Sequence, residues 1–180
     1  MTPSLTLVPH DGSWSARFEA EAARVRLALG AMPLRIEHVG STAVPGLAGK
    51  PVLDVAVAVS SDAAAIACIA PLQALGYEFR GPHGDDPRRR YYVRDEHGAR
   101  AVQLHLYVLP APAWDAKLAF RDALRVDPSL ATAYAAEKYR VADAVGWDKS
   151  ANALTKGAFI DRVLAEIEDQ ARSRTPNRIR

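Results

Sequence analysis

The segment that decides how this chain folds is EHVGSTAVPGLAGKPVLDVAVAV, from Glu37 to Val59. A glycine-serine-threonine turn follows a short alternating run, and a second bend contains Pro-Gly. The apolar run after Pro51 is rich in valine and is interrupted by a single aspartate, Asp54, a pattern typical of a central strand covered on both faces. The segment is therefore predicted to form a strand, a glycine-rich loop and a second strand.

The glycine-rich loop contains Gly49-Lys50, which suggests a P-loop of the form G-x-x-x-x-G-K-[ST]. The first glycine of that motif would fall at Val44, and the residue after the lysine is Pro51, which has no hydroxyl for a metal ion. The next segment is a strand, whereas a P-loop leads into a helix. The spacing therefore excludes a P-loop.

Two interpretations of the turn remain open from the residues alone. In one, Gly40 lets a phosphate approach the backbone, and nearby amides with the hydroxyls of Ser41 and Thr42 donate to its oxygens. Asp54 would then hold Mg²⁺, which binds carboxylate and phosphate oxygens together. In the other interpretation the residues only make a turn between two strands, because turns favour glycine and serine.

The flanking segments predict an α+β protein. An amphipathic helix precedes the first strand, and a second helix is expected over 60–76, where Pro71 either kinks it or begins its last part. RRRYYVR, DEHG and RAVQLHLYVL predict a β-hairpin. From about residue 112 the pattern is helical. We expect a single domain, 1–180, with residues 172–180 as a disordered tail.

The composition narrows the function classes. The 180 residues are 49% hydrophobic and 24% charged, which is ordinary for a soluble domain with a core. A formal net charge of +2 does not mark a nucleic-acid-binding protein. One cysteine, Cys68, suggests neither a disulfide within the chain nor a cysteine metal site. The first residues do not resemble a signal peptide and no apolar run is long enough to cross a bilayer, so a cytoplasmic location is expected.

Further motifs extend the pattern beyond the loop. PRRRYYVR, LHLYV, FRDALRVDP, YAAEKYRVA and KGAFIDRVL follow in an order and spacing that resemble the GrpB family, also called UPF0157. The resemblance runs from about Trp14 to Leu164. It implies a nucleotidyltransferase-like fold of the polymerase-β type, with a mixed β-sheet, flanking helices and a helical C-terminal part.

That superfamily has a Gly-Ser turn after the first core strand, two carboxylates on the next strand and a third acidic residue on a later strand. On this sequence the turn is Gly40-Ser41 and the first carboxylate is Asp54. The second position is Ala56, and Ala58 follows on the same face. The later strand presents no acid on the corresponding face, which carries Gln103, His105 and Tyr107.

One carboxylate cannot build the two-metal centre that usually supports in-line phosphoryl displacement. Two possibilities follow from the resemblance. Either a single Mg²⁺ or Mn²⁺ is held by Asp54, His105 and the substrate's phosphates, or no catalysis occurs.

Several basic residues are candidates for phosphate contacts, each with a plainer alternative. Lys50 is either a phosphate ligand or a solvated strand end. Arg89 and Arg90 face opposite sides of a strand, so at most one enters a given site, and Arg90 is the predicted ligand. The alternative for both is a charged edge strand. Lys138 is predicted to reach a polyphosphate, and His38 is expected to be a packed structural residue.

Two functions compete on this evidence. The first is metal-dependent nucleotidyl transfer from a nucleoside triphosphate to a small acceptor, with Asp54 and His105 as catalytic residues. The second is a catalytically degenerate module that binds a nucleotide or another phosphorylated small molecule. Neither a membrane nor a nucleic acid is the expected partner. In both cases the turn should lie between neighbouring strands, and Asp54, His105 and Lys50 should line one cleft under the C-terminal helices.

Overall fold

The computed structural model describes residues 7–82, 86–145 and 149–174. It contains six helices and five strands in these residues. In chain order they are α1 (Ser13–Leu29), β1 (Pro33–Val39), β2 (Leu53–Val59), α2 (Asp62–Ala67), α3 (Ile69–Ala74), β3 (Glu78–Pro82), β4 (Arg90–Glu96), β5 (Ala99–Val108), α4 (Pro112–Val126), α5 (Pro128–Val145) and α6 (Lys149–Arg174).

The strands form one mixed sheet in the order β1-β2-β5-β4-β3. β2 runs parallel to β5, and the other neighbours are antiparallel. β2 therefore lies inside the sheet, as its valine-rich run predicts. The α+β class and the mixed sheet with flanking helices are confirmed.

Strand alternation gives the sheet two different faces. The core face carries Leu53, Val55, Val57, Val59 and the even-numbered apolar residues of β5, which pack with the buried side of α1. The other side, here called the polar face, carries the residues between them. Its members on β2, β5 and β4 are Asp54, Ala56, Ala58, Gln103, His105, Tyr107 and Tyr91.

Local chemistry explains the turns and breaks between elements. The helix predicted over 60–76 is two short helices that meet at Cys68, and Pro71 is the third residue of the second, where its missing N–H breaks no helical bond. The β4–β5 hairpin turns at His97-Gly98, both with positive φ, as a tight hairpin turn requires.

The chain divides into two compact units, Met1–Lys117 and Leu118–Arg180, where one domain was predicted. The helical stretch predicted from about residue 112 begins at Pro112. The predicted disordered tail overlaps α6, which continues to Arg174, and the remaining residues 175–180 lie outside the described residues. Within the described ranges, no helix is both long enough and apolar enough for a membrane crossing.

Candidate functional site

The glycine-serine turn lies between β1 and β2, two antiparallel neighbours, as predicted. Gly40 adopts φ 74° and ψ −171°, a backbone conformation that other residues rarely adopt. A Cβ at Gly40 would lie 2.2 Å from the Asp54 Oδ2 and 2.9 Å from the Asp54 Cγ. The space beside Gly40 is therefore filled by the Asp54 carboxylate, whereas the sequence had suggested that a phosphate would use it.

The loop between the turn and β2 closes over Ser41. Ser41 begins a short 3₁₀ turn, and a Cβ at Gly49 would lie 2.9 Å from the Ser41 Cβ. Gly49 also exchanges two backbone hydrogen bonds with Val8, at 2.9 and 3.0 Å. Gly49 thus approaches Ser41 closely, and the contact of Ser41 with phosphate stays a prediction.

The side chain of Thr42 lies on the core side of the turn. It is buried, and its Oγ1 lies 2.9 Å from the His38 Nε2. His38 stacks on Phe18 of α1, with ring centroids 4.5 Å apart, so this pair belongs to the core face. Thr42 is accordingly a structural residue of the turn and not the phosphate ligand that the sequence suggested, and His38 is packed as expected.

The arginine that reaches the polar face is Arg89. Its guanidinium lies 3.1 Å from the His105 Nδ1 and 5.1 Å from the centre of the Tyr107 ring. Arg90, the predicted phosphate ligand, points to the core face, where it pairs with Asp62 at 3.6 Å. The prediction chose the wrong neighbour because a shift of one residue along a strand reverses the face.

The contact with Arg89 also determines what His105 can do. A guanidinium only donates hydrogen bonds, so the His105 Nδ1 accepts, and in the neutral ring the proton then sits on Nε2. Neither nitrogen in this arrangement offers a lone pair to a metal ion. His105 therefore orients Arg89, and its predicted role as a metal ligand does not fit this geometry, whereas its predicted catalytic role stays a prediction.

Lys117, near the middle of α4, brings a second cation to the same place. Its side chain is half-buried and interacts electrostatically with both the Asp54 carboxylate and the Arg89 guanidinium. Burial lowers the pKa of Lys117, and the nearby Asp54 carboxylate opposes that change. The lysine thus lies between one opposite and one like charge.

Two buried polar atoms on this face lack hydrogen-bond partners among the described residues: the Tyr107 hydroxyl and the Arg89 Nε. Tyr107 is 1% exposed, and its pKa is raised to about 12, chiefly by burial, while Arg89 acts to lower the pKa and Asp54 acts to raise it. Buried polar atoms without partners are costly and recur at ligand sites. The core face also has such atoms, the Arg94 Nε and the Tyr92 hydroxyl, so this feature alone does not identify a ligand site.

The residues of this face do not fit a two-metal centre. Asp54 is the carboxylate on β2, and Glu37, opposite Ala56 on β1, is paired with Arg35 at 2.6 Å. In the part of the chain that the structure describes, no group of three His, Cys, Asp or Glu side chains could hold a metal ion. The charge next to Asp54 is positive, which suits an anion better than a cation.

Of the three residues predicted to line one cleft, two share a face of the sheet, and the cleft itself stays a prediction. Asp54 and His105 share the polar face of adjacent strands, since Asp54 pairs with Gln103 and Ala56 pairs with His105. Lys50 is half-buried before β2, and its place in the cleft stays a prediction. Lys138 is 3% exposed in the second unit, with its ammonium 5.1 Å from the centre of the Tyr134 ring, and its phosphate role also stays a prediction.

The sequence reasoning missed Arg89 and Lys117. Arg89 could have been chosen from parity with Tyr91, because the two residues share a face of the strand. Lys117 stands three residues after the buried Trp114, so both lie on the same side of α4. The position of a lysine on the buried side of a helix could have marked Lys117 as a candidate site residue.

Comparisons with known proteins agree with this fold. The family model described as GrpB protein matches residues 4–166. A UPF0157 protein of Pseudomonas aeruginosa is 35% identical over 164 residues, which cover 89% of this chain and 66% of that protein. The crystal structure of the conserved protein GrpB from Enterococcus faecalis has a TM-score of 0.81 and 30% identity, covering 92% of this chain and 99% of that one.

A more distant likeness concerns the fold alone. The Cid1 poly(U) polymerase, in a structure described as MgGTP bound, has a TM-score of 0.51 and 18% identity over 71% of this chain and 42% of its own. This chain spans 66% of its Pseudomonas relative and 39% of a Bacillus subtilis UPF0157 protein. The fold is that of the nucleotidyltransferases, and the chain belongs to the GrpB family.

Proposed function

We propose that this protein binds a phosphorylated small molecule of the nucleotide class on the polar face of its sheet. The observation that carries the proposal is the Arg89 guanidinium, which His105 and Tyr107 hold beside Lys117 with its Nε unpartnered. Arginine forms strong, directional hydrogen bonds with phosphate. A half-buried pair of cations, one of which has an unpartnered N–H, is an arrangement that an anionic ligand would complete.

The turn would contribute a third point of attachment. Ser41 stands at the end of β1, next to the strand that carries Asp54. Its hydroxyl would donate to a phosphate oxygen, and such a bond to a charged group is worth about 1.5–3 kcal/mol. Ser41→Ala is then expected to weaken binding about tenfold or more.

Titration calorimetry tests this function with three probes in buffer containing Mg²⁺: ATP, inorganic triphosphate and adenosine. ATP and triphosphate should bind and adenosine should bind far more weakly, because the phosphates supply the recognised charge. Ser61→Ala, at the first turn of α2, is the control for Ser41→Ala and should leave binding unchanged. Failure of both phosphate compounds to bind, with and without Mg²⁺, would remove the proposal.

A second candidate is nucleotidyl transfer from a nucleoside triphosphate, with Mg²⁺ or Mn²⁺ arriving on the nucleotide. Two observations favour it: the Asp54 carboxylate packs against the Gly40 turn, and a fold relative is described as an MgGTP-bound polymerase. The absence of a carboxylate at Ala56 weighs against it. Pyrophosphate release from ATP that depends on metal, is lost in Asp54→Asn and rises in Ala56→Asp would support transfer, and its absence in all three proteins would favour binding alone.

A further inference from the structure

Two cations lie near the Asp54 carboxylate on the polar face. Glu37 is paired with Arg35, and Lys117 interacts electrostatically with the opposite charge of Asp54 and the like charge of Arg89. His105 accepts a hydrogen bond from Arg89 in its neutral form, so it adds no negative charge. Arg89 and Lys117 thus bring two positive charges to the part of the face that holds the Asp54 carboxylate.

Arg89 is held by groups that do not neutralise it. His105 fixes one guanidinium nitrogen, and His105 itself stacks on Tyr91 with ring centroids 5.0 Å apart. The Tyr107 ring lies under the guanidinium carbon, and Tyr107 in turn contacts Trp114. An arginine that is held by neutral rings keeps its full charge for a ligand, and its orientation is set before the ligand arrives.

Lys117 adds its ammonium from a different element. It comes from α4, whereas Arg89 immediately precedes β4, yet the two cations interact with each other. Like charges in a partly buried place repel, and a bound anion relieves that repulsion. The two cations together suit a ligand with more than one phosphate.

We infer that this face binds a polyphosphate chain without a divalent ion, with Arg89 and Lys117 supplying the positive charge that metal ions supply in metal-dependent nucleotidyltransferases. This inference rests on the proposed function. It adds that Arg89 and Lys117 bind the phosphates and that the ligand binds without a metal ion. It also accounts for the alanine at position 56, since a second carboxylate there would repel a ligand that carries no metal. Nucleoside triphosphates and inorganic triphosphate share this chemistry.

The first experiment measures affinity for ATP and inorganic triphosphate with metal-stripped protein, in chelator-treated buffer and again with Mg²⁺. The dissociation constants should agree within about threefold between the two conditions, because a metal-bound phosphate gains no protein ligand here beyond Asp54. Similar affinities for the two compounds would identify a polyphosphate site, and clearly tighter ATP binding would identify a nucleotide site. Binding only in the presence of Mg²⁺ would overturn the inference and leave the proposed function intact.

The second experiment uses the neighbouring arginines as a matched pair. Arg89→Gln should weaken metal-free triphosphate binding by at least about tenfold, the loss of one charge-assisted contact. Arg90→Gln removes the same charge from the opposite face and should change binding less than about threefold, since it faces the core side. Equal effects of the two variants would contradict the assignment.

Three further variants show whether a change in binding comes from the altered charge or from damage to the folded protein. Arg89→Lys keeps the charge and should retain more binding than Arg89→Gln, and Lys117→Gln should weaken binding as Arg89→Gln does. Asp54→Asn removes a like charge from a metal-free phosphate and should tighten binding several-fold, whereas a metal ligand would be lost and binding would weaken. Weaker metal-free binding by Asp54→Asn, in protein with an unchanged unfolding temperature, would overturn the inference.

Discussion

Two clusters of charged and aromatic side chains lie on opposite faces of the same sheet, and they are built from similar residues. The core-face cluster consists of Glu21 of α1, Arg94 of β4, and Tyr77, which directly precedes β3. Arg24 and Glu96 lie at its margin. The polar-face cluster consists of Asp54, Arg89, His105, Tyr107 and Lys117. Each contains an acid, an arginine and a tyrosine.

The two clusters differ in how these groups are matched. Glu21 accepts hydrogen bonds from Tyr77 at 2.6 Å and from Arg94 at 2.7 Å, and Arg94 also pairs with Glu96. On the polar face, the Tyr107 hydroxyl has no partner among the described residues. Each cluster has one arginine nitrogen without a partner there, the Nε of Arg89 and the Nε of Arg94. The first cluster joins α1 to the sheet, and the second is the one that we propose to bind a ligand.

The comparison teaches that burial of charge does not by itself indicate a functional site. Structural ion pairs perturb pKa values as much as active sites do. Burial and the neighbouring Glu21 raise the pKa of Tyr77, and burial with Asp54 raises that of Tyr107. The two clusters differ in their tyrosines: the Tyr77 hydroxyl donates to an acid, whereas the Tyr107 hydroxyl has no partner among the described residues. Four predictions test this difference.

The largest effect is expected from the same carboxylate-to-amide change in each cluster. Glu21→Gln removes the anion that balances the buried Arg94 and should lower the free energy of unfolding by about 3 kcal/mol or more. Asp54→Asn should cost at most about 1 kcal/mol, because Asp54 is half-buried and water still reaches the cations that it faces. Urea denaturation measures both, and equal costs would break the comparison.

The second prediction concerns the contact between Gly40 and Asp54. Gly40→Ala adds a positive-φ penalty and places a Cβ against Asp54, so unfolding should become easier by about 2–4 kcal/mol. Gly46 has a similar φ of 78°, but apart from its chain neighbours no atom lies within 4 Å of the point where a Cβ would be. Gly46→Ala should therefore cost only the backbone penalty, about 1–2 kcal/mol. If the two variants are equally stable, Asp54 does not fill the space beside Gly40.

The third prediction applies one tyrosine-to-phenylalanine change to both faces. Tyr77→Phe leaves Glu21 short of a donor and should destabilise the protein by about 1–3 kcal/mol. Tyr107→Phe removes a hydroxyl without a partner, so stability without ligand should change by less than about 0.5 kcal/mol or rise. Thermal and urea unfolding would show the difference, and a large loss in Tyr107→Phe would reveal a partner for its hydroxyl.

The smallest effect is the contribution of Tyr107 to the change of folding stability with pH in the alkaline range. Its pKa is raised to about 12 in the folded protein, above the unfolded value near 10. The unfolded state loses the proton first, so this contribution to stability is present below pH 10 and is lost as the pH rises toward 12. Tyr107→Phe should reduce the loss of stability between pH 9 and pH 11 by about 1 kcal/mol, and identical pH profiles would contradict the raised pKa.

The sequence by itself determined the positions of the strands and turns, and it determined which strand residues lie on the polar face of the sheet. Alternation of apolar and polar residues placed Gln103, His105 and Tyr107 on one face of their strand, and the valine-rich run placed Asp54 inside the sheet. The turn between β1 and β2 followed from its glycine, and the gap at Ala56 was visible from the motif. These features are local, because the alternation of side chains or the glycine of a turn can be recognised within a single segment.

Only the tertiary structure decided which of these residues meet. The choice between Arg89 and Arg90 depends on the register of β4 against β5, and the approach of Lys117 to Asp54 depends on where α4 returns over the sheet. Glu21 meets Tyr77 and Arg94 across 56 and 73 residues of chain. Such contacts depend on how separate elements pack, and no periodicity within one segment encodes them, because the period shows which side of an element is buried but not which other element covers it.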